Sequence, residues 1–289
     1  MLKTFNFYNL YLLFIICLFS SSCTVLQWRY SDLEIQEKFK DSSVVTDISY
    51  FNVDSLNLKV RIQAVKPNNK KVNLVFLHGS PSSLSAWDGY LLDSTLAASA
   101  NMYAIDRPGY GYSNFGEEMT SINISAQIMS SLINNEKLDN VIIIGSSYGG
   151  ALAARIGYLN PNIKAVVMIS PAIDPAIEKD IWGSRFTQWK LTRWLVPTAY
   201  RVAGDEKNVH ANELELIKAD WKTIDVPVLH IHGNADDLVP YENINFSTKH
   251  FRDIQIITIP EKGHEIAWKH PDLIIPYLHK LIDNVEKSN

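Results

Sequence analysis

The sequence predicts an α/β fold: a mostly parallel, doubly wound sheet, led by an antiparallel hairpin and interrupted once by a helical insertion. Three observations carry that prediction. Short apolar or β-branched stretches alternate with stretches of helical apolar spacing from residue 72 onward. Two alternating strand patterns joined by a tight turn precede them. Residues 174–225 then break the rhythm, with no strand pattern of their own.

In chain order, residues 44–53 and 56–65 alternate with a period of two around Asp54-Ser55, which reads as the hairpin. Residues 72–77 form a short buried strand that ends in His78-Gly79. Residues 102–105 are a strand, and 122–134 place Ile122, Ala126, Met129 and Ile133 at helical spacing. Four β-branched residues, 141–144, suit a central strand. Residues 148–159 read as a helix stopped by Asn160-Pro161. Residues 165–169, 227–231 and 254–259 are further strands, and 266–285 is helical with Pro271 and Pro276 as expected interruptions. Strands that repeatedly exit into helices give a parallel sheet covered on both faces.

The core is thus expected from residues 44–173 and 226–289, and a fifty-residue departure from the pattern at 174–225 reads as an inserted subdomain rather than a loop. Trp182, Phe186, Trp189, Trp194 and Tyr200 crowd that insertion. From residue 181 to 204 its charges are Arg185, Lys190, Arg193 and Arg201, with no acid. The expectation is that Trp182, Trp189 and Trp194 pack the cap onto the core. The alternative is contact with a membrane or an anionic substrate.

The chain has 289 residues, is 46% hydrophobic and 20% charged, and carries a formal charge of −4, which excludes a disordered protein and a basic nucleic-acid binder. Near its start, Lys3 precedes an unbroken apolar run at 10–19, half of what a bilayer span needs. A positive start, a short apolar stretch and small residues describe an export signal. Ser20-Ser21-Ser22-Cys23 resembles the lipobox of bacterial lipoproteins, with Ser20 where that motif usually has leucine. The resemblance implies removal of residues 1–22, acylation of Cys23 and a membrane anchor, with 23–43 as a linker. Cleavage without lipidation and an uncleaved signal anchor remain open. Cys17 and Cys23 are the only cysteines, so the folded body has no disulfide, thiolate nucleophile or cysteine metal site.

Chemistry gathers at strand ends. Gly145-Ser146-Ser147-Tyr148-Gly149 is a G-x-S-x-G pentapeptide that follows one strand and opens a helix of small residues, as a nucleophile elbow requires. Ser147 would then stand above the sheet at a helix N-terminus, where an oxyanion is favoured. A serine hydroxyl needs a base within hydrogen-bond reach.

With the elbow, three further places resemble the α/β-hydrolase superfamily. They are His78-Gly79-Ser80-Pro81, the turn running from Asp106 through Gly111 to Ser113, and the pair of loops Gly233–Pro240 and Gly263-His264. They fall in the family's order. The resemblance implies a Ser–Asp–His triad without metal or cofactor. His264, in a glycine-containing turn beyond a strand, is the base. Asp236 is the acid by the family's G-x-x-D spacing, with adjacent Asp237 still open. The oxyanion hole draws one N–H from Tyr148, after the nucleophile. The second comes from the loop after His78, where Pro81 has no N–H to give and the resemblance points to Ser80. His78, Asp106 and Arg107 are expected to organise loops, and His230 and His232 to be core or surface residues.

The function implied is hydrolysis of a small-molecule carboxylic ester or related acyl bond through an acyl-enzyme. Amide or peptide hydrolysis, as in iminopeptidase-like relatives, acyl transfer, and a non-catalytic surface binding protein are the alternatives. The sequence implies no nucleic-acid partner, and it does not set the oligomeric state.

Overall fold

In the computed structural model, which describes residues 28–67, 70–179 and 184–288, eight strands form one sheet. They are β1 (Asp47–Val53), β2 (Leu58–Val65), β3 (Asn73–Leu77), β4 (Asn101–Ile105), β5 (Val141–Ser146), β6 (Ile163–Ile169), β7 (Val228–Gly233) and β8 (Ile254–Ile259). Their order is β1-β2-β4-β3-β5-β6-β7-β8. The β1–β2 and β2–β4 pairs are antiparallel, and every other pair is parallel. The hairpin turn closes through Asn57, which takes the left-handed conformation (φ 48°) that asparagine tolerates.

Both faces of the sheet are covered, and the strand period of two divides their residues. Val75, Leu77, Val141 and Ile143 point into one layer with α2 (Ile122–Asn135) and α3 (Tyr148–Leu159). Leu74, Phe76, Ile142 and Ile144 point into the other, with Trp87, Tyr90 and α6 (Pro271–Lys287). Burial on both sides is why these strands read as continuous apolar runs.

Two segments differ from the sequence expectation. Residues 31–39, expected within a linker, contain helix α1 (Asp32–Phe39). Ser31 and Glu34 form a capping box at its start, and Ile35 and Phe39 are buried against the second layer. Helix α6 also continues through Pro276. Pro271 is its first residue, where the missing N–H costs nothing. Pro276 lies on the solvent face, while Ile274, Ile275, Leu278, Ile282 and Val285 stay buried. The packed stripe outweighs one lost backbone hydrogen bond.

The insertion is helical. It comprises a turn at Pro175–Ile177, a short helix Arg185–Gln188, a turn Arg193–Leu195, the long α4 (Thr198–Ile217) and a 3₁₀ segment Lys218–Thr223. Trp221 is fully buried and stacks on Phe251 beside the eight-residue α5 (Asn243–His250). The expected packing of Trp189 and Trp194 onto the core does not hold. Trp189 and Trp194 are 58% and 66% exposed, and Trp182 lies outside the described residues. Among the described residues, a four-residue helix and a single turn leave no second layer to cover their rings.

Candidate active site

Ser147 sits on a strained elbow between β5 and α3, with φ 54° and ψ −123°. Such a conformation persists only where the surroundings over-determine it. Here the Ser147 N–H donates to the Ile169 carbonyl at 3.0 Å, and the Ser147 carbonyl accepts from Gly150 at 2.9 Å and Ala172 at 3.3 Å. The glycines are forced by contact. A Cβ on Gly145 would lie 1.9 Å from the Gly149 carbonyl oxygen, and one on Gly149 would lie 2.4 Å from that of Leu77.

Asp236 follows β7 and His264 follows β8, so both emerge at the same carboxyl edge of the sheet as the elbow. His264 Nδ1 and Asp236 Oδ2 are 2.8 Å apart. The other carboxylate oxygen, Oδ1, accepts backbone N–H groups of Leu238 at 3.0 Å and Val239 at 2.8 Å. Burial pushes the Asp236 carboxyl up, but hydrogen bonds from His232 and His264 outweigh it and hold the group well below the usual carboxylate range. Asp237 is exposed, and among the described residues only its backbone carbonyl is engaged, by Lys179 at 2.5 Å. The fold therefore pairs His264 with Asp236. Ser147 and His264 share no hydrogen bond among the described residues.

His232 has a place that its position in the sequence did not reveal. Its Nε2 lies 3.3 Å from Asp236 Oδ2 and 3.2 Å from the Val239 carbonyl, and its Nδ1 lies 2.9 Å from His230 Nε2. His230 Nδ1 in turn meets Ser247 Oγ at 2.9 Å. All three residues are fully buried. One proton arrangement satisfies the whole chain: Ser247 donates to His230, His230 to His232, and His232 to the carboxylate. Burial, and then the neighbouring His232, push the His230 imidazole well down, which keeps it neutral as this arrangement requires. The available signal was the alternation of two histidines on a strand leading straight into the acid loop, which periodicity alone reads as core. Replacing His232 with phenylalanine removes a hydrogen bond to a buried charge, worth about 1.5–3 kcal/mol. The expected result in steady-state kinetics on a soluble ester is a kcat lower by roughly ten- to a hundredfold with KM little changed.

The loop after β3 lies across the elbow. A Cβ on Gly79 would be 3.0 Å from the Ser147 Cβ. The N–H groups of Ser80 and Tyr148 have no hydrogen-bond partner among the described residues. The loop is held from below by Arg107, which is fully buried. Its Nε donates to the His78 carbonyl at 2.8 Å, and Nη2 donates to that of Gly79 at 3.1 Å and to Ser80 Oγ at 2.6 Å. Arg107 also pairs with Glu206 of α4 at 2.6 Å, and Glu206 accepts from Tyr110 at 2.7 Å and from the Ser80 hydroxyl. Burial works against the Arg107 charge, but Glu206 beside it raises its pKa. His78 accepts the Arg107 N–H at Nε2 (3.0 Å) and meets the Gly79 carbonyl at Nδ1 (2.7 Å). Asp106, also buried, ties the turn to β2 through Arg61 at 2.9 Å.

A cavity of about 700 Å³ opens above Ser147, between Ser80, Tyr148 and the cap residues Leu195, Val196 and Tyr200. Its walls are mostly apolar. Cys23 lies outside the described residues, and no described helix is long and apolar enough to cross a membrane.

The fold and this site define an α/β hydrolase. The Alpha/beta hydrolase family model matches residues 74–276, so the chain belongs to that family and is an enzyme of the hydrolase class. A Mycoplasma pneumoniae protein classed by inference as an esterase/lipase is 23% identical over 257 residues, covering 78% of this chain and 95% of its own. The pimeloyl-[acyl-carrier protein] methyl ester esterase of Wigglesworthia glossinidia brevipalpis is 26% identical over 252 residues, covering 72% and 94%. Among solved structures, a bacterial membrane phospholipase A aligns over 96% of this chain and 99% of its own, with a TM-score of 0.67 and 16% identity.

Proposed function

We propose that the protein is a serine esterase acting on carboxylic esters with a substantial apolar part. The observation that carries the reading is Ser147, held at φ 54° on a strand–turn–helix elbow with the His264–Asp236 pair at neighbouring strand ends. The relatives named for ester hydrolysis support the bond type. The apolar cavity above Ser147 supports the substrate character.

In this mechanism the Ser147 hydroxyl attacks the ester carbonyl while His264 Nε2 takes its proton. Hydrogen bonds of this kind tighten once substrate is seated. The negative charge that forms on the carbonyl oxygen meets the N–H groups of Tyr148 and Ser80, backed by the N-terminus of α3. His264 then protonates the leaving alcohol, and a water activated by the same imidazole releases the acid. Asp236 remains ionised throughout, fixing the His264 tautomer and stabilising the imidazolium. Cys23 as the acylated residue of an exported, membrane-anchored protein completes the proposal.

The pocket favours esters over aminoacyl amides. Its two carboxylates, Glu178 and Glu206, are matched with Lys207 and Arg107, so neither is left to receive a substrate ammonium. Turnover of nitrophenyl esters that rises with acyl length, with little turnover of aminoacyl anilides, is the expected outcome. The reverse ranking would replace the esterase reading with the peptidase one.

A further inference from the structure

The cap carries an apolar surface that the catalytic chemistry does not use. Trp189, Leu191, Trp194 and Leu195, within seven residues of chain, are 58%, 69%, 66% and 60% exposed. This is built geometry rather than a frayed loop. Arg193 Nη1 donates to the Thr187 carbonyl at 2.7 Å, and its guanidinium pairs with Asp205 of α4 at 2.6 Å. Thr192 Oγ1 donates to the Phe186 carbonyl at 2.8 Å. The Trp194 indole N–H is satisfied inside the same turn by Leu191 at 3.0 Å, so the ring presents only carbon outward. Soluble proteins rarely leave such a cluster uncovered.

Three further observations say what covers it. Arg185, Lys190 and Arg201 accompany the cluster, while Arg193 is matched by Asp205; residues 184–204 themselves hold no acid, which suits an anionic surface. Tryptophan and basic side chains together are the composition of an interfacial segment. The chain also enters the fold at this place: Trp28 meets Tyr200 with ring centroids 5.4 Å apart. The apolar run at 10–19 and Cys23 precede Trp28 closely enough that an uncleaved anchor or an acylated Cys23 would keep it within about 30 Å of a bilayer. Finally, Phe186, Leu195 and Tyr200 both line the cavity and are exposed, so the mouth of the cavity opens through this same face.

We infer that the cap face docks on an anionic lipid bilayer, placing the mouth of the Ser147 cavity against the membrane so that acyl lipids enter it from the bilayer. The docking rests on the exposed cap cluster, its basic neighbours and the proposed N-terminal anchor, while the delivery of lipid to Ser147 rests on the esterase reading. A tether and an apolar–basic patch are the two signals that stable but reversible attachment requires. Together they also fix orientation, which one tether cannot do.

The test uses the full chain, with and without Trp189→Ser/Leu191→Ser/Trp194→Ser, on vesicles of phosphatidylcholine and phosphatidylglycerol. With Ser147→Ala in both proteins, brominated acyl chains should quench tryptophan fluorescence strongly in the parent and weakly in the triple variant, although the tether keeps both on the vesicles. With Ser147 restored, the triple variant should hydrolyse a soluble nitrophenyl ester as the parent does and a vesicle-embedded ester about tenfold more slowly. Equal quenching in the two proteins, or equal rates on the embedded ester, overturns the inference. Absence of turnover on the soluble ester in the parent strikes the esterase reading instead and leaves the quenching result to decide the docking.

Discussion

Replacing Ser147 with alanine should lower kcat on any ester the protein hydrolyses by about 10⁶-fold, because the proposed mechanism makes nucleophile, base and acid one unit. The substitution is structurally gentle. Among the described residues the Ser147 hydroxyl makes no hydrogen bond, and the elbow is held by backbone bonds to Ile169, Gly150 and Ala172. Alanine at φ 54° is no more strained than serine there. Steady-state rates with a nitrophenyl ester check the loss, and an unchanged thermal unfolding midpoint shows that it comes from chemistry. Activity within tenfold of the parent would mean that Ser147 is not the nucleophile.

Asp236→Asn should cost about 10⁴-fold in kcat. The carboxylate receives four donors, from His264, His232, Leu238 and Val239. An amide of the same shape removes the charge that supports the imidazolium, and it turns an NH₂ toward one of those donors. Stability should change with it. The folded-state pKa of Asp236 is depressed, so its contribution is full above the ordinary carboxylate range and is lost only as pH falls through the lower folded value. Asp237→Asn, at an exposed side chain, should leave the rate within about twofold of the parent. Rates of the two variants measured side by side decide between the neighbours. A severe loss in Asp237→Asn with a mild one in Asp236→Asn would move the acid to Asp237 and contradict the assignment.

What was legible in the sequence was whatever a period or a tight steric demand imposes. Residues 141–144 are apolar at every position because both faces of β5 are covered, and Gly145 and Gly149 are glycines because backbone carbonyls fill the space of a side chain. Those two constraints expose the sheet and the elbow. The acid loop needed the fold. Asp236 and Asp237 are chemically identical, and only the turn after β7 decides which one is buried against His264. Helix α1 is not legible although Ser31 and Glu34 spell a capping box, because eight residues with two buried side chains give too short an apolar stripe to register. His230 and His232 were illegible for a different reason. Alternation puts both on one face of β7, but the face they share, beside Ser247 of α5 and beneath Asp236, exists only once the layers are packed. The cap misled in the opposite sense. Tryptophan in a globular protein is read as core, whereas Trp189 and Trp194 stand on a strap too thin to bury them.

The central claim is that Ser147 is an activated nucleophile, and the most direct measurement is intact-protein mass spectrometry after exposure to a fluorophosphonate, with peptide mapping of the adduct. One phosphonyl group per chain on Ser147, lost in Ser147→Ala and slowed in Asp236→Asn, is the predicted result. No adduct on the folded protein, or one that persists in Ser147→Ala, would contradict it.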